Sequence, residues 1–224
     1  MTKIIHYTLF YLQFIVICIS LIFSLRLIKN KNVPKYLNGF YWYPIVGFIT
    51  LLSEVIIRTF SNEFKKYAWL INNLSIIYHF CFLTLFIIGV LKNKNNHMYL
   101  YFIFFVFNVL IVVSLTSNNL YKAIPLAFSI SNFGLVLFCV LYYFDLFNNM
   151  PELDLKETPA FWIITGVFFC MGTFFPISAI VDYLKGKVSI LIIMSLNNVL
   201  FVCYIVMHLF FIKAYLCVPQ RLKG

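Results

Sequence analysis

The sequence predicts an all-α polytopic membrane protein: one domain, residues 1–224, folded as a bundle of seven transmembrane helices. Composition is the first observation, since 63% of the 224 residues are hydrophobic and only 11% are charged. Soluble domains are about 45–50% apolar and about 25% charged. The second observation is a series of apolar runs long enough to cross a bilayer, which takes about 20 residues. A soluble globular enzyme is therefore excluded, and the abundant aromatic and branched residues exclude disorder.

Seven apolar runs justify the helices, and the gaps between them are short segments that contain Lys, Asn, Pro or Gly. The predicted helices are 4–28, 39–60, 67–91, 98–117, 123–147, 160–184 and 188–216. The first run is longer than the apolar region of a signal peptide and lacks an A-x-A-like cleavage site, so we expect it to remain in the mature protein. All seven runs are apolar on every side, whereas the strands of a membrane barrel alternate.

Individual aromatic, glycine and proline residues predict further features of these helices. Trp42, Trp69 and Trp162 each lie near a predicted helix start, with tyrosines such as Tyr43 nearby. This is typical of interfacial aromatic belts, with ligand stacking as the alternative. Gly172 and Pro176 predict a bend in the sixth helix, which serves either packing or a hinge.

The arrangement of cysteines and glycines predicts no cofactor and no metal. All six cysteines fall within or at the end of a predicted span, and none forms a CxxC pair, so we interpret them as packing residues. The chain has no GxGxxG, Walker A, GxSxG or HExxH motif.

The distribution of basic residues predicts the orientation. Seven lie on the side of the N-terminus and ten on the opposite side. The positive-inside rule therefore places the N-terminus outside and the C-terminus in the cytoplasm. The net charge of +10 is explained by basic residues that flank the spans and meet anionic lipid headgroups, and we expect no nucleic-acid partner.

Glu54 is the acid that lies well inside a predicted span, and Arg58 follows it one turn later. Ionisable side chains at membrane depth are costly and raise a functional hypothesis. The alternative is an ion pair that only holds the second helix in place. We expect Glu54→Gln to fold but lose function, and Arg58→Ala to be destabilised because it strands the carboxylate.

Polar side chains on other helices fall at a similar depth. With Glu54 and Arg58, they form the predicted ligand site: Asn72, Asn73, His79, Asn132, Asn197 and Asn198. The helix rise places most of them in the half of the bundle nearer the N-terminus, which indicates a polar pocket between helices two, three, five and seven. The alternative is amide bonding between helices without a ligand.

Four segments resemble uncharacterised small seven-helix proteins of bacterial inner membranes. They are LLSEVIIR, INNLSIIYHF, TPAFWIITGVFF and SLNNVLFVCYIV. The resemblance implies location in a bacterial inner membrane and association with a signalling protein such as a histidine kinase.

Three functional hypotheses follow. The first is a non-enzymatic, receptor-like membrane sensor or accessory subunit of a signalling complex, with an outward pocket for a small molecule or lipid. The second is a proton-coupled transporter of small solutes, in which Glu54 couples proton movement. The third is an intramembrane lipid-processing enzyme that uses Glu54, His79, Asp182 and His208 for acid–base chemistry.

Overall fold

The computed structural model describes residues 2–29, 33–60, 65–92, 97–149, 155–184 and 187–218. At positions 2, 3, 29, 54, 58–60, 65, 66 and 182 it describes the backbone alone.

The described residues form seven α-helices and two single-turn 3₁₀ helices, with no strand among them. The α-helices are α1 (Thr2–Lys29), α2 (Trp42–Phe60), α3 (Lys65–Val90), α4 (His97–Thr116), α5 (Pro125–Asn149), α6 (Pro159–Leu184) and α7 (Ile190–Leu216). Each coincides with a segment long and apolar enough to cross a membrane. The prediction of seven apolar helices is confirmed, and it indicates an integral membrane protein. Helices suit a bilayer because they satisfy their own backbone hydrogen bonds.

The predicted ends lie within three residues of the observed ones. The fifth and sixth helices both begin at a proline, Pro125 and Pro159. Proline is favoured in the first turn because the amide hydrogen it lacks has no intrahelical acceptor there. The second helix begins at Trp42 rather than at 39, because residues 38–41 form a turn.

Six helices form a closed ring around the centre of the bundle. In ring order α1, α2, α3, α5, α6 and α7 each contact the next, and α7 contacts α1. Successive helices run antiparallel, so we name the two ends after the chain: α1 begins at the amino end, and α7 finishes at the carboxyl end. The last residues of α2, α4 and α6 and the first residues of α3, α5 and α7 lie at the amino end.

Helix α4 lies outside this ring, in the groove between α3 and α5. Its outer side chains are large and apolar, and Phe102 and Phe105 are exposed. Side chains of this kind on an outer surface fit contact with lipid tails.

Residues 34–41, which precede α2, fold into the carboxyl end of the ring, and we call them the plug. A 3₁₀ turn (Lys35–Leu37) begins it, and Gly39, with φ +91°, allows the next turn. Leu37 and Phe40 are completely buried, with at most 1% of either residue exposed. The Phe40 ring contacts Phe86 at 4.7 Å between centroids, so the plug closes the core at this end.

Helices α6 and α7 approach each other closely at Gly166. A Cβ atom at this position would lie 2.8 Å from Cβ of Phe210 and 3.2 Å from the carbonyl oxygen of Met207. Only glycine fits there without movement of the neighbouring helix.

Candidate functional site: a polar cavity at the amino end of the ring

A cavity of about 1160 Å³ occupies the ring from its amino end to beyond mid-depth. Its lining comes from α1, α2, α3, α5, α6 and α7 and from the turn before α5. No described residue of α4 takes part. Along α7, with a rise of about 1.5 Å per residue, the lining continues to His208, about 27 Å from the start of that helix. The ring thus forms a deep vestibule with one closed end.

The upper part of the cavity contains a layer of short polar side chains. They lie about two to three helical turns from the amino end of the bundle: Asn72, Asn73, Ser75, Ser131, Asn132, Ser178 and Asn197. Three side chains of the lining, those of Tyr7, Tyr11 and Trp69, are also exposed. The vestibule is therefore not sealed at this end.

The floor of the cavity consists of Tyr43, His79 and His208. The rings of Tyr43 and His79 meet edge to face at 5.2 Å. Directly beneath, Tyr43 stacks on Phe40 of the plug at 5.8 Å, with 20° between the ring planes. The floor thus lies on the plug.

Five buried polar atoms in the lining have no hydrogen-bond partner among the residues that the structure describes. They are Oε1 of Gln13, the hydroxyl of Tyr43, Nδ1 of His79, Nδ2 of Asn132 and Nδ1 of His208. Each belongs to a different helix of the ring. An unsatisfied buried polar group destabilises a protein by about 1–3 kcal/mol, so such groups are rare unless water or a ligand meets them. Five such groups therefore lie around the cavity, one on each of five ring helices.

The structure brings five of the eight predicted ligand residues to this cavity: Asn72, Asn73, His79, Asn132 and Asn197. Asn198 is not among the lining residues. The side chains of Glu54 and Arg58 lie outside the described part of the chain, although the backbone of α2 continues through both positions. That the five residues bind a ligand stays a prediction.

Two of the predicted residues have partners within the protein. Nδ2 of Asn73 donates to the carbonyl oxygens of Leu120 and Lys122, both at 2.8 Å, and so fixes the turn between α4 and α5. Nδ1 of His6 donates to Oδ1 of Asn198 at 2.9 Å, which joins α1 to α7. For these two asparagines the alternative of bonding between elements has direct support.

Sequence reasoning did not predict that α1 and α6 line the cavity, and it therefore missed Gln13 on α1. It also interpreted Tyr43 as part of an interfacial belt. A glutamine within an apolar run was a usable signal, because membrane helices seldom bury an amide without a purpose. The place of Tyr43 was not predictable, since it depends on the plug.

The predicted bend in α6 falls within one continuous helix, Pro159–Leu184. Pro176 has no amide hydrogen, so it cannot donate to the carbonyl of Gly172 one turn earlier. Both residues are exposed. A hinge at this point stays a prediction.

Searches of protein-family models, curated proteins and solved structures found no match to this chain. The resemblance to small seven-helix inner-membrane proteins is therefore neither supported nor contradicted, and the cavity itself carries the functional argument.

Proposed function

We propose that the protein is an integral membrane sensor, or an accessory subunit of a signalling complex, that binds a small molecule or lipid in the ring cavity. One observation carries the proposal: six helices enclose a cavity of about 1160 Å³, and its lining combines apolar walls with polar side chains from α1, α2, α3, α5, α6 and α7. Ligand sites typically occupy about 300–1,000 Å³ and combine apolar walls with a few convergent polar groups.

The lining favours a ligand that combines apolar surface with hydrogen-bonding groups. Its described side chains are mostly apolar, and the polar ones are amides, hydroxyls and imidazoles. Such a molecule would pack against the apolar walls and form hydrogen bonds with the polar side chains.

A continuous path of rings supports a sensor. Tyr43 on the floor stacks on Phe40, and Phe40 contacts Tyr215 at 6.3 Å near the end of α7. A ligand that moves Tyr43 would therefore disturb the carboxyl end. In the proposed orientation the amino end faces outward and the carboxyl end faces the cytoplasm of a bacterium. A partner such as a histidine kinase would contact this second end.

A matched pair of glycine variants tests whether the cavity holds a ligand. Gly47 lines the cavity, and a Cβ atom there would have no neighbour within 4 Å. Gly89 has the same open surroundings but lies on the outer surface of α3. Gly47→Phe therefore fills the cavity, whereas Gly89→Phe adds a ring outside it. Each protein would be purified in mild detergent and extracted for mass spectrometry of bound small molecules.

We expect wild type and Gly89→Phe to retain the same compound at about one molecule per chain, and Gly47→Phe to lose it. Retention by all three folded proteins would refute binding in the cavity. A stoichiometric membrane partner in the same preparations would support the signalling role. A ligand without any partner would argue against it.

A transporter is the second candidate, because a short plug rather than a full layer of helices closes the cavity at one end. Transporters hold substrate near the membrane midplane and open to each side in turn. Solute uptake into sealed vesicles distinguishes the two functions. Net uptake that Gly47→Phe abolishes and Gly89→Phe preserves would favour transport, whereas binding without uptake would favour the sensor.

A further inference from the structure

The two flanks of α1 differ near the amino end of the ring. On the flank that meets α7, Nδ1 of His6 donates to Oδ1 of Asn198 at 2.9 Å. The rings of His6 and Phe10 contact Phe201 at 5.1 and 6.1 Å between centroids. These contacts close the seam between α1 and α7 at this end.

On the opposite flank, α1 meets α2, and a ring contact lies deeper along the seam. Phe14 and Phe48 approach each other at 5.5 Å between centroids. Residues three and seven positions along a helix from such a contact lie on the same face. In these antiparallel helices the next pairs toward the amino end are therefore Tyr11 with Leu51, and Tyr7 with Val55. All four residues line the cavity, and we call them the window.

The window is open to the outer surface of the ring. Tyr7 and Tyr11 are 61% and 64% exposed, although they lie on the flank of α1 that meets α2. Tyr11 also belongs to the outer stripe of α1, since it lies seven residues after Ile4 and four before Ile15, both of which are exposed. Because a residue of the outer stripe lines the cavity, the cavity extends to the outer surface between α1 and α2.

The window lies at membrane depth. The 28 residues of α1 are about 42 Å long, which matches the thickness of a bilayer with its headgroups. Tyr7 and Tyr11 lie about 8 and 14 Å from the start of this helix. This depth is where headgroups give way to acyl chains, and tyrosine is favoured there because it combines an apolar ring with a polar hydroxyl.

We infer that the vestibule opens sideways into the bilayer through the window, and that its ligand is a membrane lipid. One acyl chain passes between α1 and α2 into the apolar part of the vestibule. The polar group of the lipid remains at the amino end, beside the tyrosine hydroxyls. This inference rests on the proposed function and names the class of its ligand.

A photoactivatable lipid tests the inference in a bilayer. The protein would be reconstituted in phosphatidylcholine vesicles that include a phosphatidylcholine with a diazirine midway along one acyl chain. After irradiation, fragment mass spectra of peptides locate the adducts. Leu200 lines the vestibule, whereas Val199 is exposed on the outer surface of α7. We expect adducts at both positions. Adducts at Val199 with none at Leu200 would overturn the inference.

Two matched pairs of tryptophan variants locate the entry. Leu51→Trp and Val55→Trp fill the window, whereas Leu52→Trp and Ile56→Trp add the same ring to exposed positions outside the lining. Relative to Val199, labelling of Leu200 should fall about tenfold in the first two and change by less than about twofold in the other two. Melting temperatures would identify variants that remain folded. Unchanged labelling of Leu200 in folded window variants would refute entry between α1 and α2.

Failure of this inference is distinguishable from failure of the proposed function. If Gly47→Phe loses a water-soluble compound that wild type retains, and Leu200 is not labelled, the cavity binds a ligand that is not a lipid. If Leu200 is not labelled and Gly47→Phe retains every compound found in wild type, both claims fail. If Gly47→Phe and the window variants all lose the adduct at Leu200, while Gly89→Phe keeps it, both are supported.

Discussion

Neighbouring asparagines perform different tasks in this protein. Asn73 is buried and donates to two carbonyl oxygens of the turn after α4, while Asn72 is only partly buried and faces the cavity. A step of one residue turns a helix by about 100° because 3.6 residues complete a turn. Both residues line the cavity, and they differ in that Asn73 also fixes the turn between α4 and α5.

This difference predicts opposite effects of one substitution at two adjacent positions. Asn73→Ala leaves two carbonyl groups without their donor and should lower the free energy of unfolding by about 1–3 kcal/mol. Asn72→Ala should leave stability nearly unchanged and weaken retention of the bound ligand. Thermal unfolding in detergent measures the first effect, and mass spectrometry of the extract measures the second. Equal destabilisation by both changes would contradict this division of tasks.

The sequence predicted which polar residue types occupy the amino half of the bundle, but it could not separate these tasks. Asn73 and Asn198 are anchored by groups from other elements, a turn 47 to 49 residues away and a histidine 192 residues away. Asn132 has no such partner for Nδ2 among the described residues. Contacts between residues so far apart in the sequence depend on how the helices are arranged in the ring. The spacing of residues along one helix does not reveal that arrangement.

At the scale of elements, the plug decides where the cavity ends. Phe40 contacts the aromatic rings of Phe82, Phe86 and Phe211. Phe40→Ala should lower the free energy of unfolding by about 3–5 kcal/mol, the usual result of removing a fully buried phenylalanine. Phe105, 63% exposed on α4, is the control, and Phe105→Ala should have little effect. Similar melting temperatures for the two variants would mean that the plug does not belong to the core.

The contact between α6 and α7 provides another test at this scale. Gly166→Ala places a methyl group 2.8 Å from Phe210 and should destabilise the protein by about 1–3 kcal/mol. Gly172 lies on the same helix, where the nearest atom to a new Cβ is 4.0 Å away. Gly172→Ala should stabilise by about 0.5–1 kcal/mol through reduced backbone entropy. The unfolding free energies of the two variants should therefore move in opposite directions, and a common direction would contradict the close approach of the two helices at Gly166.

The helices were predictable and the plug was not, for a physical reason. A bilayer requires long apolar runs, which are visible in any window of the sequence. The plug depends on a turn at Gly39 and on the space that the other helices leave at the carboxyl end. Its polar neighbours, Lys35 and Asn38, give the segment the composition of an ordinary connecting loop.

The arrangement of the whole molecule was beyond the sequence as well. In water an apolar stripe reveals which face of a helix is buried. In this chain neither α4 nor α7 has an apolar stripe on one side, yet α4 lies outside the ring while α7 closes it. Lipid and protein interior favour the same side chains, so composition does not distinguish an outer helix from a ring helix. The sequence indicated only that polar residues of α2, α3, α5 and α7 lie near one another, and it did not indicate the ring itself.

The central claim is that the ring encloses a polar vestibule reached from its amino end, and thiol labelling tests it most directly. Asn197 lines the vestibule, whereas Val199, two residues later on α7, is exposed on the outer surface and does not line it. Asn197→Cys and Val199→Cys would be treated in sealed vesicles with a membrane-impermeant maleimide. Peptide mass spectrometry would separate the new thiol from the six native cysteines.

We expect labelling of Asn197→Cys when the reagent is on the side of the amino end, none from the opposite side, and none of Val199→Cys from either side. Removal of bound ligand should accelerate the reaction at position 197. Equal labelling at both positions, or no labelling at position 197 after the ligand has been removed, would contradict the vestibule.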